Sequence, residues 1–260
     1  MENAVLFEIN NGVATITLNR PDRYNAVNQD LVDGISNSLK KCEADQSIRA
    51  VVITGAGRGF CAGADMSVFG DEVTADQRSQ YIIDQYQPLM NQFFSLKKPI
   101  IGAINGTAAG VGAAFALACD FRVMSDKSGI LYAFVNIGLG PDGGASWLLT
   151  RQVGYSRALE IATSGKKITG KRCLELGLTN RLVAQDDILT SAQNWAEDFA
   201  IRPTLAIGIA KEDMFFAMDH TLNESIAFEA KKQIDAFKSH DLKEGVSAFI
   251  EKRKPDFLGK

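Results

Sequence analysis

The chain has 260 residues, 46% of them hydrophobic, and 28 basic against 31 acidic side chains leave a net charge of -3. That length holds one large domain, or two closely joined ones, with an ample core. The mildly acidic balance gives no reason to expect a nucleic-acid partner, and no apolar run approaches membrane-spanning length, so no membrane partner is expected either.

In chain order, the first segment reads as a hairpin. Val5–Ile9 and Val13–Leu18 are strand-like runs on either side of Asn10, Asn11 and Gly12. Residues 20–23, with Pro21 and Asp22, form a turn. Asn28 or Asp30 caps a helix that runs to about Glu43 and shows Leu31, Ile35 and Leu39 on one face. Ala50–Thr54 suits a buried strand. A first glycine-rich stretch, Gly55 to Asp65, follows it, and residues 75–96 read as a helix. The alternation of strand, loop and helix favours an α/β class with crossovers. From Leu189 onward the pattern is helical, over residues 190–200, 204–218, 221–237 and 243–252, with Pro203 opening one helix. Met1, Glu2 and Asn3 lead directly into strand-like sequence, which gives no secretory signal. Cys42, Cys61, Cys119 and Cys173 lack metal-ligand spacing and read as reduced thiols, so no metal is expected. A cytoplasmic protein is the expectation.

The most informative stretch runs from Ile101 to Gly144. Residues 99–104 form a short apolar strand, and Gly106, Gly110 and Gly112 then allow sharp turns and close backbone approach. Ala113 to Cys119 is apolar on every side, as a fully buried helix is. The first amides of such a helix lack internal partners and lie at the positive end of its dipole. The turn is therefore either a packing device or a site for an oxygen that becomes anionic. Asp142 stands among glycines at a later helix start, where it reads as a helix cap or as a proton carrier. Gly138 to Gly143 matches the spacing of a dinucleotide loop. That reading fails because Pro141 removes an amide and Asp142 places negative charge where phosphates would lie. His220 and His240 fall in the helical tail as surface residues.

Phe60–Asp65, Lys98–Gly106, Ala109–Gly112 and Gly138–Gly144 together resemble the crotonase (enoyl-CoA hydratase/isomerase) superfamily. The likeness covers nearly the whole chain, including Val246–Arg253, which is similar to that family's final helix. It implies a crotonase-type ββα spiral core over residues 1–197 and a C-terminal helical oligomerisation region over 198–260. It also implies a homotrimer, or a hexamer of two trimers, and an acyl-CoA thioester substrate. No separate cofactor follows, since coenzyme A is part of the substrate. By the same resemblance the backbone amides of Ala64 and Val111 form an oxyanion hole. Ala62, Gly63, Asp65, Gly110, Phe134 and Lys252 fall at substrate- or CoA-binding positions. The family often has glycine where this chain has Val111, whose side chain must point away or narrow the pocket. The Asp65 carboxylate is expected to cap the next helix, and Lys252 and Arg253 either meet coenzyme A phosphates or are solvated.

Hydratases of this family use two glutamates, and the resemblance places those positions at Ala114 and Phe134, neither of which carries a proton. Asp142 remains. Its setting, Pro141 to Gly144, resembles the family's ring-1,2-epoxyphenylacetyl-CoA isomerases and some 3-enoyl to 2-enoyl-CoA isomerases. An acyl-CoA isomerase with Asp142 as proton carrier is therefore expected. An apolar pocket involving Phe134 and Trp147 would raise its pKa. Another crotonase reaction (hydration, dehalogenation or hydrolysis) and a non-catalytic acyl-CoA-binding subunit are the alternatives.

Overall fold

A computed structural model describes residues 3–66 and 73–260. The chain opens with a hairpin of β1 (Val5–Asn10) and β2 (Val13–Leu18), in which Asn10 pairs with Val13 across Asn11 and Gly12, both at positive φ. Helix α1 (Gln29–Ala44) is capped by Asn28, whose side-chain oxygen accepts from the Leu31 amide at 3.1 Å. Strand β3 (Ala50–Gly55) is buried at every residue, as its unbroken apolar run requires of a central parallel strand.

The helix expected over residues 75–96 is interrupted. It consists of α2 (Ala75–Tyr81), a π-helical turn (Ile82–Tyr86) and α3 (Gln87–Ser95). The Gln87 amide donates to the Ile82 carbonyl, five residues back. Pro88 follows at once and has no N–H to offer the carbonyl four residues before it, which suits a widened turn there.

Next come β4 (Ile100–Ala103), β5 (Thr107–Ala109), α4 (Val111–Ala118), β6 (Phe121–Met124) and β7 (Gly129–Leu131). They are followed by α5 (Ala145–Val153), α6 (Tyr155–Ser164), β8 (Lys167–Thr169), α7 (Gly170–Glu175) and β9 (Arg181–Leu182). Successive strands feed two sheets in turn. The larger has the order β1-β2-β3-β4-β6-β9 and the smaller β5-β7-β8. β4 and β5 lead into α4, and β6 and β7 lead towards α5, which is the ββα spiral that the family resemblance implies. Because side chains alternate along a strand, Val51 and Ile53 of β3 face α1, α3 and α4, whereas Ala50 and Val52 face α8 (Ile188–Ala200).

The rest is helical: α9 (Thr204–Ala217), α10 (Leu222–Lys238) and α11 (His240–Glu251). The division expected at residue 197 falls inside α8, and that helix packs on the large sheet through Ile188, Ala192, Ala196 and Ala200. The four cysteines are free and buried. Both histidines are exposed. Among the described residues, no helix is long and apolar enough to cross a membrane.

Candidate active site

Two glycine-containing segments meet at the end of β5. The Ala109 amide donates to the Cys61 carbonyl at 2.8 Å, and the Cys61 amide donates to the Thr107 carbonyl at 3.3 Å. Gly63 lies at φ 93°, and a Cβ on it would stand 2.9 Å from the Ala109 carbonyl oxygen. A Cβ on Gly112 would stand 2.5 Å from the Cys61 carbonyl oxygen and 2.7 Å from its Sγ. Only glycine allows the two backbones this approach. On its far side the first segment is tied to residues 24–27. The Ala62 amide donates to the Tyr24 carbonyl, the Val27 amide to the Gly63 carbonyl, and the Asp65 amide to the Val27 carbonyl.

The amides of Ala64 and Val111 are open in this frame. Among the described residues, no acceptor is hydrogen-bonded to the amide of Ala64 or of Val111. Val111 is the first residue of α4, whose eight residues are all buried, so its N–H belongs to the positive end of a desolvated helix. Gly63 and Gly110, the neighbours of these two residues, are in near contact.

The Asp142 segment joins the same place. A Cβ on Gly143 would stand 2.7 Å from Val111 Cγ2 and 3.7 Å from Tyr86 Cδ2. The Val111 side chain therefore points at the Asp142–Gly143 turn and is itself buried. Asp142 is not a helix cap: α5 starts after Gly144 with no side-chain cap, and only the Asp142 backbone carbonyl accepts, from the Ala145 amide at 2.9 Å. Its Oδ1 is buried without a hydrogen-bond partner. Burial pushes the carboxyl pKa up from 3.8 to about 6, because desolvation disfavours the charged form. The Tyr132 hydroxyl donates to the Ala145 carbonyl at 2.9 Å and ties the start of α5 to the smaller sheet.

A cavity of about 270 Å³ adjoins Gly143 and Gly144. Ile82, Met90, Phe94, Trp147, Leu148 and Phe215 give it apolar walls, and the amides of Gln87 and Asn91 are the polar exceptions. Phe94 stacks on Phe215 with centroids 4.8 Å apart, and Trp147 lies 5.7 Å from Phe215. Trp147 lines this cavity, and Phe134 is not among its lining residues. Phe134 is buried on the Gly110 side, with its ring 3.9 Å from where a Gly110 Cβ would lie and edge-on to Tyr132. Ala114 is fully buried within α4.

The other expected residues divide. Asp65 pairs with Arg20 at 2.8 Å, beside the oxyanion segment; the helix cap expected of its carboxylate falls partly on residues 67–72, outside the described residues. Lys252 is exposed at the C-terminus of α11, and none of its contacts among the described residues joins it to these segments. Arg253 is engaged by Glu244 and Glu251. Sequence reasoning missed the polar pins of the loop. Buried Asn25 donates to the carbonyls of Ala56, Gly59 and Phe60, and Asn105 donates to those of Gly55 and Gly57. Lone asparagines carry no spacing signal that could have marked them.

The family model for enoyl-CoA hydratase/isomerase matches residues 8–260. The chain is 37% identical to the 1,2-epoxyphenylacetyl-CoA isomerase of Escherichia coli K12, over 100% of both chains. It is 34% identical to a probable enoyl-CoA hydratase of Rhodobacter capsulatus, over 99% of each. An enoyl-CoA hydratase subunit of Geobacillus kaustophilus has a solved structure that superposes with a TM-score of 0.93 at 33% identity, covering 99% of this chain and 98% of that one.

Proposed function

We propose, from the premise that this chain belongs to the enoyl-CoA hydratase/isomerase family, that it is an acyl-CoA isomerase whose proton carrier is Asp142. The observation that carries the reading is the Asp142 carboxyl, whose Oδ1 is buried without a hydrogen-bond partner, next to Gly143, which packs against Val111. In the proposed step the ionised carboxylate takes a proton from C2 of a 3-enoyl thioester. The C–H electron pair moves into the thioester and leaves negative charge on the carbonyl oxygen. The amides of Ala64 and Val111 stabilise that oxygen, and each such donor is worth about 3–4 kcal/mol in a preorganised site. The protonated Asp142 then returns the proton at C4, the double bond comes to lie between C2 and C3, and the carboxylate is regenerated. A pKa of about 6 suits a group that must both accept and give at neutral pH.

The 1,2-epoxyphenylacetyl-CoA isomerase relative supports a ring-epoxide thioester as a substrate of the same enolate chemistry. The second reading is hydration, favoured by the probable hydratase among the relatives. Against it stand Ala114 and Phe134, both buried and apolar where the family resemblance places the hydratase acids. The test follows trans-3-hexenoyl-CoA and trans-2-hexenoyl-CoA with one preparation. Isomerisation read by the absorbance of the conjugated thioester should greatly exceed 3-hydroxyacyl formation read by chromatography, and the reverse order would select hydration.

Assembly belongs to the same proposal. Leu222, Ile226, Phe237, Phe249 and Ile250 of α10 and α11 are exposed, Phe249 to 85%. Apolar helix faces of this extent are covered in a stable protein, and a homotrimer or a pair of trimers supplies the cover.

A further inference from the structure

Phe94, Trp147 and Phe215 come from α3, α5 and α9, elements far apart in the chain, yet their rings form one wall of the cavity beside Gly143 and Gly144. Phe94 stacks on Phe215 at 4.8 Å, with 25° between the ring planes. Trp147 meets Phe94 edge-on at 5.9 Å and Phe215 at 5.7 Å. Each ring therefore contacts the other two. None of the three is sealed in the core: Phe215 is 38% exposed, and Phe94 and Trp147 are half-buried. Aromatic surface left open around a cavity is surface for an apolar occupant.

The wall is also braced. Arg151 lies one turn after Trp147 on α5, and its guanidinium stands 4.1 Å from the indole centroid. The same guanidinium pairs with Asp219, which follows α9 and lies four residues after Phe215. The clamp thus ties the indole to the helix that supplies the neighbouring ring. Arg151 is not among the residues that line the cavity. A planar guanidinium suits this place, because it stacks on an indole and bonds a carboxylate at once.

We infer that Trp147 and Phe215 are specificity-determining residues, selecting acyl groups that end in a single ring over straight chains of equal carbon number, and that Arg151 is the positioning residue that holds Trp147 in the wall. The inference rests on the proposed function, which puts the thioester at Ala64, Val111 and Asp142 and so sends the acyl end into the adjoining cavity. An apolar cavity of about 150 Å³ holds one benzene. The 270 Å³ found here takes one ring and the carbons that link it to the thioester, and falls short of two rings. A ring has no internal torsions to freeze, and it meets the wall by stacked and edge-on contacts that are worth more than their area. A straight chain gives up several rotamers to fill the same space.

The experiment titrates phenylacetyl-CoA and octanoyl-CoA calorimetrically into wild type, Trp147→Leu, Phe215→Ala, Arg151→Met and Asp142→Asn. Both ligands carry eight acyl carbons and neither has a 3-enoyl double bond to shift. Wild type should bind phenylacetyl-CoA roughly tenfold more tightly, the size of one or two aromatic contacts. In Trp147→Leu and Phe215→Ala the preference should fall to about twofold or less, chiefly through weaker binding of phenylacetyl-CoA. In Arg151→Met it should fall several-fold while octanoyl-CoA affinity is retained. A merely structural role for Arg151 would weaken both ligands alike, and that result, or an unchanged ratio, overturns the positioning role. Equal affinities in wild type, or a preference that survives in both wall variants, overturn the selectivity. Asp142→Asn should keep the wild-type preference, because its wall is intact. If that variant also turns over trans-3-hexenoyl-CoA normally, the proton-carrier reading fails while the selectivity stands; if wild type binds neither thioester, both fail.

Discussion

Replacing Asp142 by asparagine should remove activity and add stability at the same time. The side chains are nearly equal in size, so the packing around the position is retained. The chemistry depends on a group that ionises, and losing the sole base costs at least the 10²–10⁴-fold typical of general acid–base catalysis. Acyl-CoA binding should stay within a few-fold, because the amides of Ala64 and Val111 belong to the backbone. The stability effect follows from linkage. Folding raises the carboxyl pKa from 3.8 to about 6, so the folded state binds the proton more tightly than the unfolded chain. The folded state is therefore not penalised below about pH 4. The penalty grows as pH rises through the interval from 3.8 to 6 and is complete above it. The shift corresponds to roughly 3 kcal/mol, and residual solvent contact reduces this to about 2 kcal/mol. Asparagine never ionises, so Asp142→Asn should be more stable than wild type by about that amount at pH 8 and by about half of it at pH 5. Urea denaturation at fixed protein concentration, run at both pH values, measures the difference, and isothermal titration with a non-reactive acyl-CoA measures binding. Near-wild-type turnover would refute the proton-carrier role. A variant less stable than wild type at pH 8 would show that the carboxylate makes a favourable contact and that the burial argument is wrong.

Gly112→Ala should cost about 1–3 kcal/mol and most of the turnover, since the new methyl group meets the Cys61 carbonyl and forces the two segments apart; an unchanged thermal midpoint with intact activity would count against this interlock. Phe134→Glu should lower stability by about 2–3 kcal/mol, because it buries a carboxyl beside Gly110, and should add weak hydration of 2-enoyl-CoA without reviving an Asp142→Asn enzyme. Failure to hydrate in a folded variant would contradict the placement of the second hydratase acid. Light scattering should give the mass of a trimer or hexamer, and Phe249→Glu on the exposed face of α11 should lower that mass, whereas a wild-type monomer at micromolar concentration would exclude the proposed assembly.

Patterns that repeat within a few residues were legible in the chain itself. The apolar run of β3, the all-apolar α4, the face of α1 with its Asn28 cap and the C-terminal helices emerged close to where they were expected, because burial and capping act over one or two turns. The glycines of both segments were visible too, though as permissive residues and not as an interlock. Tertiary structure decided what those residues meet. Asp142 could have been a cap by its local sequence, and only the start of α5 after Gly144, together with a desolvated Oδ1, removes that role. Val111 could have pointed into the pocket; contact with Gly143, 32 positions later, turns it towards the acid. Trp147 and Phe134 look alike as apolar candidates, yet one lines the cavity and the other packs beside Gly110. The π-helical turn that delivers Tyr86 has no period to betray it, because a single widened turn leaves the apolar spacing on either side nearly intact. A pKa belongs to the same class: burial raises it, and burial is a property of the residues that converge around a group, not of those beside it in the chain.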